Sequence, residues 1–172
     1  MGGAHPHAVV YRPLPAAGTV VAQTRITRVY DKGAGKGALL QSERQVRDKA
    51  TGEVLADVTM VTFARGDGGH GGSHSNYPTP HPIPERAPDA VSEFTTSPQS
   101  ALIYRLSADL NPLHADPDVA AVAKYTQPIS HGLCTYGVAG HRLIEMVCGG
   151  DPNRMRSLDC RFSSPAYPGE TI

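Results

Sequence analysis

The sequence has no surplus of charge: its 16 basic side chains are matched by 16 acidic ones over 172 residues. Without a net field it offers no general attraction for nucleic acid or an anionic membrane surface. Recognition of a polyanionic ligand must then come from a local cluster or from backbone N–H groups. No stretch approaches the roughly 20 apolar residues that a membrane span requires. The opening MGGAHPHAVVYRPLPAAG lacks the cationic and then apolar regions of a secretory signal. Cysteine is scarce: Cys134, Cys148 and Cys160 form no CxxC pair and read as buried free thiols of a reducing compartment. The chain is still long enough to bury a core and to form one ordinary domain.

What is present divides into two unlike halves. Thr19 to Ala64 reads as β structure, with strands over Val20–Ile26, Ala38–Val46 and Val54–Phe63. Turn signals at Asp31-Lys-Gly33 and Asp48-Lys-Ala-Thr-Gly52 mark an antiparallel meander. In the third strand Val54, Ala56, Val58, Met60 and Thr62 share one face, which is expected to be the buried one. Arg65 to Ala87 is rich in Gly, His and Pro and can hold neither a helix nor a central strand. It reads as a linker or as a loop that covers a ligand.

Beyond it, Val91–Thr96 reads as a strand, and Ser97-Pro98 opens a helix running to about Ser107. Asp116-Pro117 repeats that device for a second helix to Lys124. The longest helix is expected from Gly132 to Cys148, capped by Ser130 and stopped by Gly149-Gly150. Leu133, Gly137, Gly140, Ile144 and Val147 lie along one side, where the glycines would let a sheet approach closely. A further strand begins at Leu158 and runs to Ser163.

Two clusters carry chemistry. In YRLSADLNPLHADP, Asp109 lies just past a helix end and His114 in the loop after it, with Asn111-Pro112 turning the backbone between them. A carboxylate and an imidazole that share one water can take a proton from it and return one elsewhere. The plainer reading is a solvated charge at a helix end and a loop histidine. In SHGLCTYG, the helix beginning at Gly132 presents unsatisfied amide donors and a favourable dipole to a carbonyl oxygen that becomes enolate-like. Read alone it is an ordinary capped helix with a glycine for packing; beside Asp109 and His114 it completes an acid, a base and an electrophilic donor.

No metal site is expected. His5, His7, His70, His74 and His81 cluster loosely, without helix-spaced pairing or a rigid scaffold. The run Gly66-Asp-Gly-Gly-His-Gly-Gly72 resembles a phosphate loop only superficially, since neither Gly-Lys-Ser/Thr nor a helix follows it.

The pair YRLSADLNPLHADP and QPISHGLCTYG resembles the signature of MaoC-like, R-specific 2-enoyl-CoA hydratases, such as the hydratase 2 unit of the peroxisomal multifunctional enzyme of β-oxidation. The resemblance extends to Tyr11–Pro15, Asp31–Gly33, GDGGHGG, Pro88–Val91 and Arg161–Thr171, and so to nearly the whole chain. It implies an α+β hot-dog fold, in which an antiparallel sheet wraps a long central helix, as the remnant of a double hot dog. Residues 1–64 would be the C-terminal strands of a degenerate first repeat, 65–87 the linker, and 88–172 the second repeat with the catalytic motif. On this reading the chain starts without the first repeat's helix and ends before the second repeat's last strands.

The resemblance further implies a reversible hydration of trans-2-enoyl-CoA to (3R)-hydroxyacyl-CoA, with Asp109 and His114 as the catalytic pair. The Gly132 amide would bind the thioester carbonyl, Asn111 would hold the loop, and Asn111, His131, Leu133, Tyr136 and Gly71 would border the substrate. No separate cofactor is implied, because CoA is part of the substrate. The expected partners are an acyl-CoA and a second copy of the chain, with no nucleic acid and no membrane. The expected compartment is the cytoplasm in a bacterium and the peroxisome in a eukaryote. Ala108 stands where the family usually has glycine. Two other readings remain open: a non-catalytic module that binds acyl thioesters or dimerises, and a dehydratase acting on carrier-protein-bound (3R)-hydroxyacyl groups.

Overall fold

A computed structural model describes residues 5–71, 77, 82–107 and 109–172. Ala108, His74 and His81 lie outside the described residues, and with them the glycine-to-alanine departure and part of the histidine cluster. The chain divides into two compact units, residues 1–87 with 153–163 and residues 88–152 with 164–172.

The first unit is a five-stranded antiparallel sheet built from β1 (His5–Val10), β2 (Val20–Asp31), β3 (Ala38–Asp48), β4 (Val54–Ala64) and β5 (Ser157–Asp159), in the order β2-β3-β4-β1-β5. The meander β2-β3-β4 follows the turn signals. Asp48 closes the β3–β4 hairpin by accepting hydrogen bonds from the amides of Ala50 and Thr51, both at 2.8 Å, and Gly52 takes the positive φ of 75° that the turn requires.

Two strands differ from expectation. β1 adds a strand between β4 and β5 that its Pro6 and short length hide from pattern reading. β5 is only three residues long and pairs with β1, through His7↔Asp159, Ala8↔Leu158 and Val9↔Ser157.

The buried face of the sheet is also not the one the alternation in β4 suggests. Leu55 and Val61 are buried, while Val58 and Met60 are half-buried and Thr62 is exposed. The core cluster joins Tyr30, Leu39 and Val61 with Phe63 and Tyr77, and the register places Tyr30 beside Leu39 and Leu39 beside Phe63. Tyr77 meets Tyr30 edge to face, with ring centroids 5.3 Å apart. Full burial of Leu39 or Val61 stabilises the sheet by about 1.5–3 kcal/mol each. The physical reason for the discrepancy is that period-two patterning reports which residues are apolar. Which face gains a cover depends on where later residues such as Tyr77 settle.

The second unit carries three helices, α1 (Ser100–Tyr104), α2 (Pro117–Val122) and α3 (Gly132–Val147), with a 3-10 turn over Pro112–His114. α1 is shorter than expected. Ser97 accepts a hydrogen bond from the Gln99 amide on its hydroxyl and one from the Ser100 amide on its carbonyl, forming a turn that leads into the helix. Asp116 caps α2 by accepting from the amides of Asp118 and Val119. α2 stops at Val122, because Lys124 adopts a left-handed φ of 66°. α3 ends where the Gly150 amide reaches back to the Ile144 carbonyl, with positive φ at Gly149 and Gly150.

The segment expected as a strand at Val91–Thr96 makes only one isolated bridge, Thr95 to Thr171. Phe94 and Ile172 exchange two backbone hydrogen bonds of 2.9 Å there, and buried Thr96 fixes the segment through the Glu170 carbonyl and the Gly169 amide. The glycines of α3 do not share the role expected of them: Gly140 is buried, while a methyl group added to Gly137 would meet open space.

Candidate active site

The YRLSADLNPLHADP segment folds so that its two polar ends converge. Asp109 accepts the Asn111 amide on its carboxylate at 3.0 Å, a tight turn that leaves the rest of the carboxylate exposed. The Asn111 side chain then caps the 3-10 turn by accepting the Leu113 amide at 3.1 Å. That turn delivers His114, which is buried, with its Nδ1 2.8 Å from the Ile129 carbonyl. Because a carbonyl can only accept, Nδ1 carries a proton, which leaves Nε2 as the ring nitrogen available for proton exchange.

Beside this pair stands His131. It is 2% exposed, and its ring stacks on that of His114 with centroids 3.8 Å apart and planes 26° from parallel. A carboxylate oxygen of Asp109 and a ring nitrogen from each of His114 and His131 lie within 4.8 Å of one another. Burial pushes the His131 pKa below the ordinary histidine value, and the neighbouring His114 and Arg105 push the same way. Tyr104 packs beside His131, at 4.8 Å between ring centroids, and burial raises the pKa of its phenol.

Asp109, His114 and His131 could offer three donor atoms to a cation. The in-plane lone pairs of two near-parallel rings run side by side instead of meeting. The cluster suits proton transfer better than metal ligation.

Gly132 is the first residue of α3, and its N–H has no partner within the helix. The sequence assigned the capping of this helix to Ser130, but the N-cap is His131, and neither side chain caps it. The Ser130 hydroxyl is buried without a hydrogen-bond partner, and its amide donates to Ala166 at 2.7 Å.

The remaining expected site residues separate. Leu133 is half exposed in the first turn of α3 and Tyr136 is partly buried one turn on. Asn111 acts through the loop. His131 is buried, with its Nε2 on the Asp109 carbonyl.

Gly71 belongs to the first unit, and its N–H is already committed: it donates to Asp31 at 2.7 Å. Asp31 is 4% exposed and also accepts the amides of Gly69 at 2.7 Å and Gly33 at 2.8 Å. These bonds, from Gly69, Gly33 and Gly71, hold its carboxyl well below the usual carboxylate range. Sequence reading took Asp31 only as a turn former. Its anchoring of the glycine loop had one visible signal, an acid facing a GDGGHGG run, and nothing in the spacing that joined them. A concavity of about 820 Å³ on the sheet is lined by polar residues such as His7, Tyr11, Arg25 and Asp57, and none of the expected site residues lines it.

Comparison with known proteins places both units. Residues 80–172 match the family model described as a MaoC like domain, and residues 5–66 match that of the MFE-2 hydratase 2 N-terminal domain. A protein of Dictyostelium discoideum named probable enoyl-CoA hydratase 2 is 43% identical over 165 residues, covering 95% of this chain and 55% of the relative. A solved MaoC-like dehydratase from Phytophthora capsici superposes with a TM-score of 0.89 at 42% identity, over 99% of this chain and 59% of that one. A Mycobacterium tuberculosis structure described as a double hot-dog fold superposes at a TM-score of 0.58 and 16% identity, over 99% of this chain and 60% of that one. The fold is of the hot-dog type. The chain spans about half the length of the curated relatives it matches.

Proposed function

Starting from the fact that this chain belongs to the family of MaoC-like domains, we propose that it hydrates trans-2-enoyl-CoA reversibly to (3R)-hydroxyacyl-CoA. The observation that carries this reading is the convergence of the Asp109 carboxylate and the His114 imidazole within 4.8 Å, in the same unit as the amide end of α3. Asp109 and His114 hold one water between them. One of the two takes a proton as the water oxygen bonds to C3 of the enoyl group. The electron pair of the double bond moves toward the thioester, and the Gly132 N–H stabilises the resulting enolate oxygen. A proton delivered to C2 then completes the addition, and microscopic reversibility makes the same groups a dehydration apparatus.

The acyl-CoA is the partner, and no separate cofactor enters these steps. A homodimer is the assembly proposed, supported by exposed apolar side chains at Leu102, Ile103, Leu106 and Leu110. No helix among the described residues is long and apolar enough to cross a membrane. The compartment proposed is the cytoplasm in a bacterial host and the peroxisome in a eukaryotic one.

The test mixes the purified chain with crotonyl-CoA and follows loss of the enoyl-thioester ultraviolet band. Wild type should turn over, and Asp109→Ala and His114→Ala should each lose activity by roughly 10²–10⁴-fold. An unchanged rate in both variants overturns the assignment. Binding of the thioester without turnover by wild type would identify a non-catalytic acyl-thioester module. Turnover confined to carrier-protein thioesters would identify the dehydratase of carrier-bound groups.

A further inference from the structure

We infer that His131 is a positioning residue for the catalytic pair, setting the backbone of Asp109 and the ring plane of His114 at once. The inference rests on the hydratase reading above, and it replaces substrate contact as the task of this side chain.

Three contacts carry it. His131 Nε2 lies 3.1 Å from the carbonyl oxygen of Asp109, so Nε2–H donates to the main chain of the residue whose carboxylate does the chemistry. The same ring stacks on His114 at 3.8 Å. The ring also meets Tyr104, with ring centroids 4.8 Å apart. One side chain therefore refers the acid, the base and, through its own backbone, the adjacent Gly132 to a single frame.

An ordinary packing role does not account for the residue. His131 is the N-cap of α3, yet its side chain makes no capping hydrogen bond. Its Nδ1 is buried without a partner, a cost that phenylalanine at this place would avoid. What the imidazole has and phenylalanine lacks is the Nε2–H on the Asp109 carbonyl. The charge state agrees with this. Burial keeps His131 neutral, and a second cation stacked on His114 would oppose proton uptake by that ring. The ionisable groups acting on His131 are Asp109, His114 and Arg105, of which only Asp109 favours the cation.

The test uses two variants that divide the contacts. His131→Phe keeps a flat ring for stacking and removes the donor; His131→Gln keeps a donor near the Nε2 position and removes the stack. With crotonyl-CoA, His131→Phe should lower kcat by about 10²-fold, the cost of a small misplacement of reacting groups, with KM within about threefold of wild type. His131→Gln should recover part of that loss. Wild-type kcat in His131→Phe, or a change confined to KM, overturns the inference. Wild type without turnover would instead defeat the hydratase reading. If neither variant folds, ¹⁵N NMR of the wild-type imidazoles decides: His131 should remain neutral with its proton on Nε2 at pH 7. A proton on Nδ1, or a cationic ring, overturns the inference.

Discussion

Two aspartates in this molecule hold the same side chain in opposite surroundings. Asp31 is buried and accepts three backbone amides from two separate loops, so its capacity is spent on shape. Asp109 is exposed and accepts one, from Asn111, so most of its lone pairs are left over. A carboxylate with most of its lone pairs engaged is a poor proton acceptor, because protonation must compete with those bonds. A carboxylate held at one point and open elsewhere can exchange protons without loosening its surroundings. The contrast sets a structural acid beside the acid proposed to work in catalysis.

The sharpest way to break the comparison is to make the same substitution in both places. Asp109→Asn should reduce crotonyl-CoA turnover by roughly 10²–10⁴-fold while leaving the melting temperature near that of wild type. Asp31→Asn should do the reverse: it should lower the melting temperature and speed amide exchange at Gly69 and Gly71. The sign with pH follows from its depressed pKa. Its stabilisation is complete above the unfolded carboxylate value of about 3.9 and is lost as pH falls through the lower value it holds in the fold. Melting curves between pH 2 and about pH 7 should therefore converge for wild type and Asp31→Asn at the acid end. Curves that stay parallel to the acid end would show that Asp31 is not the loop's anchor.

A smaller effect is expected at Asn111, whose side chain caps the 3-10 turn that delivers His114. Asn111→Ala should cost about 1 kcal/mol of stability by denaturant unfolding, with a loss of turnover well short of that in Asp109→Asn. The smallest is at Lys124, which holds a left-handed conformation at the end of α2. Lys124→Gly should stabilise the chain by about 1 kcal/mol and leave turnover unchanged.

Legibility from sequence followed the range of the interactions. The β2-β3-β4 meander and α3 were readable because hairpin turns and helix ends are short-range devices. The turn between Asp109 and His114 was readable for the same reason, since Asn111-Pro112 determines it locally. Ser130 misled because a serine one residue from a helix start has the composition of a cap, while its hydroxyl points elsewhere. β4 misled because Val54, Ala56, Val58 and Met60 are the more apolar set, yet Tyr77, 16 residues after Val61, packs with the other face. Asp31 and its glycine loop are joined across 38 and 40 residues, a distance that composition does not encode. The Asp109–His114 pairing was legible as chemistry, whereas the contacts of the His131 ring with His114 and Tyr104 depend on packing.

The placement of β5 has a consequence for how the chain is made. Its partner β1 precedes it by a long stretch of chain, and Asp159 pairs with His7 only after some 150 intervening residues have been added. Until then β1 keeps an open edge with unmatched backbone groups, and residues 88–152 of the second unit are synthesised in the interval. Loop closure of that length is slow, so β5 joins the sheet well after β1 is made, and in that interval the β1 edge is the place where nascent chains can join one another.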